Sequence, residues 1–301
     1  MGASTLYQST DTSAPTLLDT TYYLVNLLTK VLVDGYGTKS GLGWTREYVS
    51  ADGNIAVFRN AGTGLFLQVD NLTNYASTGI AAKITVYEAM GSYAVGYLRT
   101  PEDGVTHYLT YANTKTGARA CAWKVIGDDK GFWLCSEYST TAGLWTCAYF
   151  GDYTPYHLEN QSNWISMTAV AVEVNTVHLK QYASAVNTAI RISRTYQNAR
   201  PSQQVYLAAG TGVNSTVSNV QLGSHATLTS PVPVFSKPLL LSNTSPSVII
   251  GEIPGLYEPI NLIASGSVIQ MSSSAALHVF QLNENNGHIA LLVGEGFRND
   301  Q

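Results

Sequence analysis

Along the first fifty residues the spacing of apolar positions changes abruptly. Leu17, Leu18, Tyr22, Val25, Leu28 and Leu32 recur mostly three and four positions apart, with polar Asn26, Thr29 and Lys30 between them, the period of an amphipathic helix. Ser13 and Pro15 offer a cap and a preset first turn, and Asp34-Gly35 offers a stop, so a helix is predicted from Pro15 to Val33, lying across a sheet. From Trp44 the pattern shortens to runs rich in β-branched and aromatic residues, broken by Asp52-Gly53 and Gly62-Thr63-Gly64. These runs predict antiparallel strands at Asn54 to Phe58, Leu65 to Asp70 and Ala81 to Tyr87.

The segment CAWKVIGDDKGFWLCSEYSTTAGLWTCAYFGDY reads as a meander. Its strands are predicted at Ala122 to Ile126, Phe132 to Tyr138 and Leu144 to Phe150, with turns at Gly127 to Gly131 and Thr140 to Gly143. Trp123, Val125, Phe132, Leu134, Trp145 and Cys147 alternate with more polar neighbours, so one buried face is expected, with the helix as its cover. Asn163 to Val174 reads as a strand, and Leu179 to Ile190 as either a short helix or an extended linker. Short runs then recur at Val205 to Ala208, Pro231 to Phe235, Leu239 to Leu241, Val248 to Gly251, Ser267 to Met271, Leu277 to Gln281 and His288 to Val293, the spacing of a small β-sandwich or barrel. The expected fold is mainly β (α+β): an antiparallel sheet covered by one N-terminal amphipathic helix, then a second small sandwich or barrel-like domain. The domains are placed at 1–175 and 191–301, with a linker at 176–190.

Composition changes the picture in one respect. Charged residues are 12% of the chain, about half the usual share, and their place is taken by small polar residues and 19 tyrosines. Charge is depleted and Tyr enriched where a subunit is covered by neighbours, so copies of itself and other proteins of an assembly are the expected partners. A net charge of −4 with no basic run excludes binding nucleic acid through its phosphates. No run of about 18 apolar residues is present to span a membrane. The N-terminus has no basic stretch followed by an apolar one, so a product made and released in a cytoplasm is expected.

Candidate chemistry is sparse. Cys121, Cys135 and Cys147 are odd in number, lack CxxC spacing and fall in segments that read as strand, so buried packing is expected, with no metal and no cofactor. The glycines of DGYGTKSGLGW follow a helix and match no phosphate-loop pattern. His107, His157, His178, His225, His278 and His288 are scattered and are expected at the surface or at interfaces.

Glu252 and Glu258 flank the loop in GEIPGLYEPI. Their spacing allows the ~5 to 9 Å separation of a glycosidase pair, but only Tyr257 nearby would serve a sugar cleft, so neither is expected to be catalytic. Pro254 and Pro259 preset φ on either side of Gly255, which can take a positive φ. A stiff loop results, either displaying Leu256 and Tyr257 to a partner or pinning them against its own domain. The candidate interface is Pro254, Gly255, Leu256, Tyr257 and Pro259.

Taken in order, LYQSTDTSAPTLLDTTYYLVNLLTKVLVDGYGTKSGLGW, NIAVFRNAGTGLFLQVDN, ITVYEAM, WKVIGDDKGFWLC, FGDYTPY and GEIPGLYEPI resemble a family of virion structural proteins of tailed bacteriophages. The similarity weakens between about residues 155 and 230. The resemblance implies a non-enzymatic component of the head, neck or tail, located in the virion, with no catalytic residues to carry over. A receptor- or glycan-binding tail module, using a Tyr-rich surface, is the alternative.

Overall fold

The computed structural model describes residues 2–71, 80–100, 107–112, 119–139, 143–156, 164–167, 191–194, 203–208, 235–242, 246, 248–259, 263–282 and 288–298. The expected linker at 176–190 and the run Leu179 to Ile190 lie outside them. One short helix, α1 (Tyr23–Thr29), continues into a π-helical turn (Lys30–Asp34). The described strands up to the meander are β1 (Gly2–Gln8), β2 (Thr45–Val49), β3 (Ile55–Arg59), β4 (Phe66–Asp70), β5 (Ile80–Ser92), β6 (Val95–Thr100) and β7 (His107–Ala112). The meander itself is β8 (Trp123–Gly127), β9 (Gly131–Ser139) and β10 (Leu144–Asp152). Beyond it come β11 (Thr154–Pro155), β12 (Trp164–Met167), β13 (Arg191–Ile192), β14 (Gln203–Ala208), β15 (Phe235–Ser236), β16 (Leu239–Ser242) and β17 (Ile249–Glu252). The last four are β18 (Leu256–Pro259), β19 (Val268–Ser272), β20 (Ala275–Gln281) and β21 (His288–Arg298).

The protein is mostly β, with antiparallel curled sheets in a sandwich-like arrangement. A six-stranded sheet runs β2-β3-β4-β5-β6, with β7 also paired to β5. A 15-stranded sheet runs β11-β17-β16-β14-β13-β12-β10-β9-β8-β1-β21-β18-β15, with β19 and β20 attached through β21. Near opposite ends of that path lie β17 and β18, yet only Ile253, Pro254 and Gly255 separate them in sequence. A link that short spans at most about 14 Å, so the sheet must curl until its two ends nearly meet.

The predicted helix is corrected at its start. Residues 15–20 are not helical because their backbone is used elsewhere: the Cys121 amide donates to Leu17 O at 2.8 Å, and the Asp19 amide to Arg119 O at 3.1 Å. Tyr22 then takes a left-handed φ of 76°, and the helix begins after it. Consequently Tyr22 is exposed instead of buried and Leu18 is half-buried, while Val25, Leu28 and Leu32 are buried as the periodicity requires.

The meander forms where its turns and β-branched runs put it, but both of its faces are buried. Trp123, Val125, Phe132, Leu134, Ala148 and Phe150 share a first core with Leu24, Val25, Leu28 and Leu32 of the helical segment and with Phe58, Leu67, Val69 and Ile84 of the six-stranded sheet. Ile126, Trp133, Cys135, Cys147 and Tyr149 point the other way, into a second core with Ile192, Val205, Leu240, Ile253, Leu256, Phe280, Leu291 and Phe297. Trp145 packs on that second side too, so it and Cys147 do not share the face of Trp123 as expected. Near-continuous apolar runs such as Phe132 to Cys135 are what a doubly covered strand looks like in sequence.

Strand β1 was not predicted, since GASTLYQ carries little alternation. It inserts between β8 (Thr5 opposite Gly127, Gln8 opposite Lys124) and β21 (Gly2 opposite Arg298, Ser4 opposite Gly294). The pleat sends Tyr7 into the first core and Leu6 against the second. Through β1, the expected 1–175 and 191–301 units share one sheet, and through Trp133, Tyr149, Leu256 and Phe297 they share one core.

Candidate functional site

The turn that closes the curl contains the candidate loop. Pro254, Gly255, Leu256 and Pro259 are buried and Tyr257 is half-buried. The Leu256 amide donates to Ile253 O at 3.3 Å and the Leu292 amide to Gly255 O at 2.9 Å. From the meander, the Trp133 indole donates to Pro254 O at 2.9 Å. Gly255 has φ 69°, and a Cβ there would stand 2.5 Å from the Phe297 ring, so both the backbone and the space demand glycine. Leu256 enters the second core, whereas Tyr257 packs on the opposite face of β18 beside Leu277, Val279, Ala290 and Leu292. The stiffness read from the prolines thus serves internal pinning, the second of the two roles the sequence allowed. Within this segment a partner protein could reach little besides Tyr257.

The two glutamates have separate structural surroundings. Glu252 is 3% exposed; it pairs with Lys237 Nζ at 2.6 Å and accepts from the Tyr156 hydroxyl at 2.9 Å. Burial, then the adjacent Glu252 charge, pushes the Tyr156 phenol up to about 12. Lys237 also lies 5.8 Å over the Tyr257 ring. Glu258 is fully buried and accepts from Ser236 Oγ at 3.4 Å.

A second constellation, which the sequence did not single out, stands at the end of β21. Arg298, 5% exposed, donates through Nε and Nη2 to the Asp128 carboxylate, through Nη1 to Asp152 O at 2.7 Å, and through Nη2 to the Tyr149 hydroxyl at 3.0 Å. The Asp152 carboxylate accepts from Asn60 Nδ2 and Thr63 Oγ1, both at 2.8 Å, and from the Thr63 amide at 3.0 Å. Burial outweighs these hydrogen bonds and leaves the Asp152 carboxyl above its ordinary range. Gly131 gives the cluster room, because a Cβ there would come within 2.2 Å of Tyr149 Oη. Three of the quoted segments, NIAVFRNAGTGLFLQVDN, WKVIGDDKGFWLC and FGDYTPY, therefore converge on one polar clamp. Arg298 escaped notice because its partners lie about 150 or more positions upstream.

Beside the clamp is an open cavity of about 370 Å³ lined by Thr5, Tyr7, Lys39, Gly41, Asp128 and Asp129. Its polar groups are largely engaged: Lys39 pairs with Asp11 at 2.6 Å, Tyr7 donates to Ser40 O, and Asp128 holds Arg298. The glycine-rich segment on its wall folds as a turn in which Tyr36 and Lys39 exchange backbone hydrogen bonds at 3.0 Å. Among the described residues no group of three or more His, Cys, Asp or Glu side chains is placed to hold a metal, and no helix is long and apolar enough to cross a membrane.

Of the six histidines, His278 and His288 are buried, 9% and 5% exposed, contrary to the surface expectation, because both sit on the paired strands β20 and β21. Cys121, Cys135 and Cys147 are all buried free thiols, although Cys121 precedes β8 instead of lying in a strand. Among the described residues, exposed apolar side chains cluster on the β5–β6 hairpin, where Tyr93, Val95, Tyr97 and Leu98 are 37%, 45%, 57% and 53% exposed.

No protein-family model matches this chain, and no curated protein matches it.

Proposed function

We propose that the chain is a non-enzymatic structural component of a tailed-phage virion, seated by protein–protein contacts in the neck or tail or on the capsid. The observation that carries the reading is the β5–β6 hairpin: Val95, Tyr97 and Leu98 on β6 and Tyr93 in the turn before it stand in solvent on a hydrogen-bonded strand pair. An exposed apolar surface of this kind, half of it tyrosine, favours a protein neighbour. The low charge and the ordered set of motifs resembling virion proteins support the same reading. So does the setting of Glu252 and Glu258, both buried in packed strands with Glu252 paired to Lys237, which suits structural work better than acid–base chemistry. Peptide mass spectrometry of purified phage particles from the genome carrying this gene is expected to return the chain in a fixed ratio to other particle proteins. Its absence from intact particles overturns the reading.

Exposed Tyr93 and Tyr97 also favour a second reading, a receptor- or glycan-binding tail module, since tyrosine faces stack on sugars as readily as on proteins. Binding of the purified protein to host cells, abolished by Tyr97→Ala while particle incorporation persists, would select it over the first.

A further inference from the structure

Cys135 and Cys147 stand directly opposite each other on β9 and β10, and Lys124 stands opposite Cys135 on β8. The three side chains form a row across adjacent strands on the second-core face of the meander. Both thiols are fully buried and hydrogen-bonded to one another. Directly opposed residues in an antiparallel pair have Cα atoms about 4.5 or 5.5 Å apart, according to the site, and both separations fall inside the ~4.4 to 6.8 Å window that a disulfide spans. The third cysteine has no such neighbour: Cys121 belongs to the first core, on the other side of the sheet.

We infer that Cys135 and Cys147 are a latent cross-strand disulfide, a dithiol that a small disulfide such as oxidised glutathione converts to an S–S bond within the native sheet. The exchange balances. One cysteine thiolate attacks a glutathione sulfur, forming a mixed disulfide and releasing one glutathione thiolate. The second cysteine thiolate attacks the protein sulfur of that mixed disulfide and releases the second. Two electrons pass from the protein pair to the reagent, and the two thiol protons go to the departing glutathiones. Burial raises the cost of the Cys147 thiolate, and the nearby Lys124 ammonium offsets part of it. The amino group is held in place by the rings of Phe280 and Trp145, 5.3 and 6.0 Å away.

Because both sulfurs are shielded, reaction waits for β9 and β10 to part, or occurs as the chain folds. The pair is therefore reduced where a glutathione pool keeps thiols reduced and oxidised where oxidised glutathione or another small disulfide predominates. This inference does not depend on the chain being a virion component.

The full chain, refolded from denaturant in a buffer of reduced and oxidised glutathione, is digested without reduction and its linked peptides are identified by mass spectrometry. One linkage, Cys135 to Cys147, is expected, with Cys121 a free thiol, a near-ultraviolet circular dichroism spectrum matching that of the reduced protein, and no linkage in Cys135→Ser. Free thiols at both positions, glutathione retained on either, or linkages through Cys121 overturn the inference. Should refolding fail, prolonged incubation of the native protein with oxidised glutathione, read in the same way, decides between the same outcomes.

Discussion

The two faces of the meander use the same three strands for opposite purposes. One face packs on residues drawn entirely from the first 150 positions, including the helical segment and the six-stranded sheet. The other packs mostly on residues between Ile192 and Phe297, brought in by the curl of the large sheet, with Leu6 and Tyr153 added from earlier in the chain. Both cores bring segments about a hundred residues apart onto the meander, Leu24 to Leu32 on the first face and Leu240 to Leu256 on the second, so each costs loop entropy before its contacts form.

The comparison can be broken from either side. Val25→Asp puts an uncompensated carboxylate into the first core and is expected to cost about 5 kcal/mol, measured by urea denaturation; an unchanged midpoint would show that this face is not core. Trp133→Ala removes a fully buried ring from the second core and the donor to Pro254 O, at about 4 kcal/mol. Its signature is regional. Amide exchange should accelerate in β18, β20 and β21 while α1 and β3 to β5 keep their protection; uniform acceleration would mean that the two cores open as one.

Arg298→Met keeps much of the side-chain stem but strands Asp128 beside Asp152, and should cost about 3 kcal/mol by thermal unfolding. Acid sharpens the comparison further. His278 points to the second-core side, its Nδ1 has no hydrogen-bond partner among the described residues, and burial followed by the Lys124 charge lowers its pKa to about 4. The unfolded chain takes up a proton near pH 6.5 and the folded chain does not, so stability falls as pH drops from about 6.5 toward about 4, by about 3 kcal/mol in all. His278→Phe should flatten that slope in pH-dependent urea titrations. The smallest effect is expected at Tyr257→Ala, about 1 kcal/mol, because the ring is half-buried on the outer face of β18; a loss in particle assembly without this small loss in stability would return the loop to a docking role.

What the sequence disclosed follows the same division. Turn residues and β-branched runs placed β3, β4, β8, β9 and β10 closely, because each signal lies within a dozen residues. The helix start was misplaced because Leu17 and Asp19 spend their backbone groups on Cys121 and Arg119, partners that periodicity cannot register. The second buried face was visible only as missing alternation, in runs such as Phe132 to Cys135. GEIPGLYEPI announced its stiffness but not its task, since its partners Trp133 and Phe297 are remote in the chain. The Arg298 clamp left no local mark at all.

The ends of the large sheet have one more consequence. Among the described residues its path stops at β11 and β15, two residues each, and β11 contains a proline. An edge so short, with Pro155 unable to donate, gives an incoming strand almost no ladder to extend. The six-stranded sheet is different: β6, six residues long, leaves Val95, Tyr97 and Leu98 in solvent. Templated polymerisation or amyloid-like growth of this protein, where it occurs, should therefore start along β6 or along the five-residue β19, where Val268 and Met271 are exposed, and not at β11; growth along β6 should be suppressed by lysine at Tyr97 or Leu98.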